Sequence, residues 1–407
     1  MRYKITPPKN INVSIDLPAS KSISNRILIL NALSFNSNAV ENLSDCEDTQ
    51  VLIDAFKSDS NEFDVRGAGT AMRFLTAFLS GMEGEWILKG SERMHERPIY
   101  PLVDTLLALG ADIEYLENIG YPPLKIRGKE LDGGEVYVSG KISSQFISAL
   151  MMIAPKMRKG LTIHIQDEII SKPYINLTAK LMEEFGVHIK WENSTIVIKP
   201  QQYKPVKYRV EPDWSAASYW YEMLALLPDS QVLLKGLTEN SYQGDSNLVN
   251  LFTDLGVSTQ FTEQGAILKN NGRKTKKFFH NFVEEPDLAQ TFAATCCFLN
   301  IPFIFSGIQS LRIKETNRVE ALMNELKKLG CVLTDTSNEM FEWDGECCFV
   351  DQNPQIDTYE DHRMAMSLAP AAIIFGEIII NEPNVVTKSY PRFWDDLVKA
   401  GFKIETL

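Results

Sequence analysis

One pattern recurs along this chain and limits what it can fold into: an amphipathic helical stretch, a glycine, then the apolar start of a strand. Copies begin at Leu102, Leu177, Leu248, Ala321 and Trp394. Their glycines, Gly110, Gly186, Gly256, Gly330 and Gly401, follow one another at intervals of 70 to 76 residues. Glycine at that place is the usual residue where a helix ends in a left-handed turn. A weaker copy without the glycine starts at Asp48. Six units in 407 residues come to about 68 residues each, too long for a solenoid repeat and suited to a small α/β unit.

A second helix type alternates with the first. Its copies begin at Ser22, Thr70, Gln145, Ser215, Leu288 and Met364, and they are apolar nearly all round, so they should be buried. Short alternating runs at Leu161, Ser194, Gln231 and Phe303 read as strands between the helices. The fold class is therefore α/β, with two similar domains of three repeated β-α-β-type units each. We expect a first domain over residues 14–212 and a second built from 1–13 and 213–407, with the functional site in the cleft between them.

Composition removes several classes of function. The longest apolar run, residues 364–375, is 12 residues and reads as one buried helix, short of the roughly 18 that a membrane span needs. Residues 1–10 have no apolar secretion core, so the expected location is the cytoplasm. The net charge of −12 argues against non-specific nucleic-acid binding. An anionic ligand would need a local basic pocket set against that charge. The cysteines, Cys46, Cys296, Cys297, Cys331, Cys347 and Cys348, contain no C-x-x-C and read as reduced thiols with no metal role.

Basic residues stand where helix dipoles disfavour them. Lys21 and Arg26 open one buried helix and Arg73 sits at the start of the next. Arg97 and Lys172 each precede a proline, Pro98 and Pro173, suited to a first helical position. Lys314 and Arg318 flank a helix start, His362 and Arg363 open the last buried helix, and Lys388 lies just before Pro391. Each alone is ordinarily a solvated loop charge. Together they make a pattern of converging helix N-termini and cations, which is an anion site. Gly67, Gly69 and Thr70 would let the backbone approach a ligand, and Ser143, Ser144 and Gln145 would supply donors. Asp287 and Glu315, otherwise a helix cap and an ion-pair member, would be acids kept ionised by the cations and able to act as bases.

The segments LPASKSISNR (17–26), GAGTAMR (67–73), ERPI (96–99), ISSQF (142–146), ISKPYI (170–175), Pro286-Asp287, RIKETNR (312–318), DHRMAM (361–366) and TKSYP (387–391) together resemble the 5-enolpyruvylshikimate-3-phosphate (EPSP) synthases. The resemblance spans residues 17 to 391 in the family's order. It implies that the enolpyruvyl group of phosphoenolpyruvate moves to the 5-hydroxyl of shikimate 3-phosphate and that phosphate leaves, by addition and then elimination, with no cofactor. It also implies roles. Lys21 would contact both substrates. Ser22, Arg26, Ser143, Ser144, Ser171, Tyr174, Asp287 and Lys314 would hold shikimate 3-phosphate. Gly69, Arg97, Gln145, Arg318, His362, Arg363 and Lys388 would hold phosphoenolpyruvate. Asp287 would deprotonate the 5-hydroxyl, and Glu315 with Lys21 would move the proton at the methylene carbon. The only partners expected are these small molecules, with the protein a monomer. The family usually has Asn where this chain has Gly67 and often where it has Ser310.

Two alternatives stand beside this one. The sister enzyme that transfers enolpyruvyl to UDP-N-acetylglucosamine usually has a reactive Cys on a loop beside its phosphoenolpyruvate arginine, and residues 80–97 contain none. A non-catalytic anion-binding protein on the same fold would keep the cations and lose the acids, yet Asp287 and Glu315 are both present.

Overall fold

The computed structural model describes residues 1–35, 40–141, 143–351 and 353–407, so Ile142, which opens one of the matching segments, lies outside the described residues. The chain divides into two compact units, Ala19–Val210 and Met1–Pro18 with Glu211–Leu407. Residues 14–18 and 211–212 thus fall with the second unit, where the sequence pattern puts them with the first. The cause is pairing. Strand Asn12–Ile15 runs parallel to Gln231–Lys235, with Ile15 opposite Leu234. The Asp213 amide then donates to the Pro18 carbonyl at 2.9 Å.

Among the described residues, five four-stranded sheets share one strand order, in which an outer parallel pair is followed by two antiparallel neighbours. In the Ala19–Val210 unit these are Glu62–Asp64, Gly84–Lys89, Leu124–Gly128 and Asp112–Tyr115, then Gly134–Ser139, Leu161–Gln166, Thr195–Ile198 and Ile189–Glu192. The other unit has three. One of them, Gln355–Ile356, Ile378–Asn381, Arg2–Thr6 and Lys403–Thr406, takes its third strand from the chain's start, so both ends of the chain meet in one sheet. The weak copy near Asp48 forms the helix Glu47–Lys57, and in place of a four-stranded sheet its segment shows a parallel bridge between Glu41 and Arg209 among the described residues.

The two helix types separate as their patterns require. The helix Gly69–Ser80 is buried along its whole length, and Trp214–Leu226 at every position but Ser215. The helices Lys21–Leu33, Ser144–Ile153, Ala289–Phe298 and His362–Leu368 fill the remaining buried places, and each unit has its own apolar core. The repeat glycines all take positive φ, from 80° at Gly186 to 102° at Gly256, and so end the amphipathic helices as expected. Residues 364–375 are not one helix. The helix stops at Leu368, passes through a 3-10 turn, Ala369–Ala371, and resumes as Ala372–Phe375. Pro370 has no amide hydrogen, and its ring clashes with the preceding turn. No helix among the described residues is long and apolar enough to cross a membrane.

Candidate active site

In the Ala19–Val210 unit the buried helices deliver the residues singled out by their charge. Ser20 caps Lys21–Leu33 by accepting from the Ile23 amide, which puts Lys21 at the first helical position. Its ammonium pairs with buried Asp48 at 3.1 Å. Arg26 is 2% exposed. It donates to Thr178 Oγ1 (2.7 Å), Ser148 Oγ (3.2 Å) and the carbonyls of Ser22 (2.9 Å) and Tyr174 (3.4 Å). It also lies over the rings of Phe74 and Tyr174. All four acceptors are neutral, and burial lowers the Arg26 pKa to about 10. A desolvated cation held by neutral oxygens gains strongly from an approaching anion.

Gly69 marks the meeting point of two arginines. A Cβ there would stand 2.8 Å from Arg73 Nη1 and 2.9 Å from Arg97 Nη1. Arg73 also donates to the Gly69 carbonyl at 3.0 Å. Gln145 Nε2 donates to Thr70 Oγ1 at 3.1 Å, and Ser143 caps the Gln145 amide at 3.3 Å. Ser144 is buried beside them. Ser171 precedes the Lys172–Glu184 helix in the left-handed region, φ 58°, and its hydroxyl makes no cap bond. Such a conformation costs roughly 1–3 kcal/mol and clusters at functional sites. Lys172, by contrast, is exposed and lies 5.8 Å over the Trp191 ring, a packing role that needs no ligand.

The other unit holds a denser cluster. Arg318, 1% exposed, donates to Asp361 Oδ2 (2.7 Å), Glu315 Oε2 (3.0 Å) and Asp287 Oδ1 (3.1 Å). Burial alone would lower its pKa, but Asp361, Glu315 and Asp287 together raise it, so the cation is fixed. Asp287 also meets Arg363 Nη2 at 2.9 Å and Lys314 Nζ at 3.5 Å. Three cations within that range favour its carboxylate over its acid. Asp361 caps the His362–Leu368 helix through the Arg363 amide while gripping Arg318 with both oxygens. His362 is 2% exposed, with Nδ1 3.9 Å from Asp361. Lys388 Nζ donates to the Glu360 carbonyl at 2.8 Å. Tyr359 and Glu360 are both left-handed, at φ 52° and 54°, a strained pair immediately before the capping Asp361.

Sequence reasoning missed several groups that hold these side chains. They are Asp48 under Lys21, Ser148 and Thr178 under Arg26, and Asp361 under Arg318. It also missed Asp245. This carboxyl is 4% exposed and bonded to Ser215, and burial, then the charge of Asp287, push its pKa up to about 7. Asp361 alone carried a local signal, as an acidic residue directly before a helix. The others are contacts between distant segments.

The family model for EPSP synthase (3-phosphoshikimate 1-carboxyvinyltransferase) matches residues 5–62 and 52–397. A protein named 3-phosphoshikimate 1-carboxyvinyltransferase from Bacteroides fragilis (strain YCH46) is 52% identical over 406 residues, covering 100% of this chain and 99% of its own. The chain belongs to the EPSP synthase family. A second member, from Pseudoalteromonas translucida (strain TAC 125), is 36% identical and covers 98% of this chain and 99% of its own. A solved EPSP synthase from Acinetobacter baumannii superposes with a TM-score of 0.80 at 19% identity, covering 100% of both chains, which shows the shared α/β fold. EPSP synthase membership accounts for the repeated units. It leaves Gly67 and Ser310 as departures from the family's usual Asn, and the Ser310 hydroxyl is buried without a hydrogen-bond partner among the described residues.

Proposed function

We propose that this enzyme transfers the enolpyruvyl group of phosphoenolpyruvate to the 5-hydroxyl of shikimate 3-phosphate, releasing phosphate. The observation that carries this reading is Asp287. A carboxylate touching Arg318, Arg363 and Lys314 competes with any anion for those same cations. When phosphoenolpyruvate takes the arginines, Asp287 loses charge-assisted partners and becomes the stronger base, placed to take the 5-hydroxyl proton as that oxygen attacks C2. Glu315, bonded to the same Arg318, and Lys21 carry the proton to and from the methylene carbon. Arg26, Ser22, Ser143, Ser144, Ser171, Tyr174 and Lys314 bind shikimate 3-phosphate. Gly69, Arg97, Gln145, His362 and Lys388 complete the phosphoenolpyruvate side. No step in this scheme calls for a cofactor.

Phosphate should appear from phosphoenolpyruvate only when shikimate 3-phosphate is present. Release supported by UDP-N-acetylglucosamine in its place would assign the sister reaction. Release with neither acceptor would remove the transfer altogether.

Gly69 supports a second prediction. Glyphosate, which competes with phosphoenolpyruvate in this family, is the longer molecule, so a methyl group at Gly69 should exclude it preferentially. The methyl would first press on the ends of Arg73 and Arg97, which are flexible enough to move. Gly69→Ala should therefore raise the KM for phosphoenolpyruvate as well, because Arg97 shifts. The ratio of the glyphosate inhibition constant to that KM should still rise about 10–200-fold, the range that one methyl group commands in a tight pocket. An unchanged ratio would place Gly69 away from the ligand.

A further inference from the structure

The hairpin Thr334–Ser337 and Met340–Trp343 is flanked by two cysteines that the sequence spacing gave no reason to pair. Cys331 and Cys347 face each other across an isolated antiparallel bridge. The Val332 amide donates to the Glu346 carbonyl at 3.0 Å and the Cys348 amide to the Gly330 carbonyl at 2.9 Å. Those bonds lie on either side of the Cys331–Cys347 pair, which makes it the non-hydrogen-bonded kind. In such pairs the Cα atoms are about 4.5 Å apart and the side chains leave the same face. That separation falls inside the range a disulfide accepts, roughly 4.4–6.8 Å.

The two thiols differ in the way an oxidation site needs. Cys347 is exposed, so an oxidant reaches it, and Cys331 is 7% exposed beneath it. Cys297, on the Ala289–Phe298 helix, is the neighbouring thiol, and its influence lowers the Cys331 pKa against the opposing effect of burial. A buried thiol under an exposed one, with its thiolate favoured, is a resolving partner.

We propose that Cys331 and Cys347 form a reversible peroxide-responsive disulfide that closes the base of this hairpin. The Cys347 sulfur attacks one oxygen of hydrogen peroxide, the O–O bond breaks, and hydroxide leaves to be protonated as water. The Cys331 thiolate then attacks the sulfenic sulfur of Cys347, the S–O bond breaks, and a second hydroxide leaves as water. Two thiols are oxidised by two electrons, and one peroxide is reduced to two waters. A dithiol reverses the step. The same hairpin holds Arg312, which pairs with Asp335 at 2.8 Å two residues before Lys314.

The test uses the whole protein, exposed to hydrogen peroxide, alkylated, digested and read by mass spectrometry. Two of its six thiols should be lost, a peptide pair joined through Cys331 and Cys347 should appear, and dithiothreitol should restore both thiols. Cys347→Ser should abolish the joined pair, while Cys348→Ser should leave it intact. The exposure of Cys347 makes that variant safe for folding. The proposal is overturned by retention of all six thiols, by a Cys347–Cys348 or Cys297–Cys331 linkage instead, or by Cys347 running on to sulfinic acid with Cys331 still reduced.

Discussion

Asp287→Asn should lower kcat by about 10²–10⁴-fold while leaving the KM for phosphoenolpyruvate unchanged or reduced. The two effects have separate origins. The amide oxygen is too weakly basic to take the 5-hydroxyl proton, so the chemical step loses its base. The same change removes a negative charge lying 2.9 Å from Arg363, 3.1 Å from Arg318 and 3.5 Å from Lys314. Those cations then present more net positive charge to an anionic substrate, and ground-state binding does not suffer. Arg318 keeps Asp361 and Glu315, so the cluster stays assembled. Glu315→Gln should also lower kcat, through proton transfer at the methylene carbon, and leaves Arg318 two carboxylates in the same way. Steady-state kinetics on both variants decide the matter. A kcat within tenfold of wild type, or a KM that rises as far as kcat falls, would make Asp287 a binding group and not a base.

Much of this architecture was legible in the chain because its signals are local. A helix that is apolar all round has to be buried, and a glycine after an amphipathic helix has to turn left-handed, as Gly110, Gly186, Gly256, Gly330 and Gly401 do. Cations at helix starts break a short-range rule, so Lys21, Arg318 and Arg363 could be singled out from their neighbours alone. What stayed hidden depends on distance along the chain. Arg26 is held by Ser148 and Thr178, and no local pattern joins residue 26 to residue 178. The N-terminal residues 14–18 join the second unit because Asn12–Ile15 finds a partner more than two hundred residues away, in Gln231–Lys235. Pro370 was visible inside the apolar run, but burial outweighed it in the pattern, and the helix breaks there all the same. The opposition of Cys331 and Cys347 exists only once the chain has turned through the hairpin between them. Asp245 shows no charge pattern at all, since its perturbation comes from burial and from Asp287.

Glu222→Met should stabilise the protein, and the gain should grow as pH rises. Glu222 lies on the buried helix Trp214–Leu226, is 0% exposed, and has no hydrogen-bond partner for either carboxyl oxygen among the described residues. The neighbouring titratable group is Cys296, on the Ala289–Phe298 helix, a thiol that Glu222's charge would push further up and that cannot compensate it. Burial raises the Glu222 pKa well above the carboxylate range, so the folded protein holds the neutral acid. The sign follows from proton counting. Below the unfolded pKa, about 4.3, both states keep the proton and pH has no leverage on this group. Above it the unfolded chain releases a proton that the folded one retains, so stability falls as pH rises toward the folded pKa. The loss is about 1.4 kcal/mol per pH unit, or tenfold in the unfolding equilibrium. Methionine fills nearly the same space, suits a helix and does not titrate. Its advantage should be constant at low pH and then widen about tenfold per unit, reaching on the order of 10²–10³-fold beyond its low-pH value near neutrality. Urea midpoints of wild type and variant, measured from about pH 4 to about pH 8, read this difference directly. A gap that stays flat with pH would mean that Glu222 is ionised in the fold and that a cation or water reaches it. A variant less stable at every pH would mean that the carboxyl contributes a contact that methionine cannot replace.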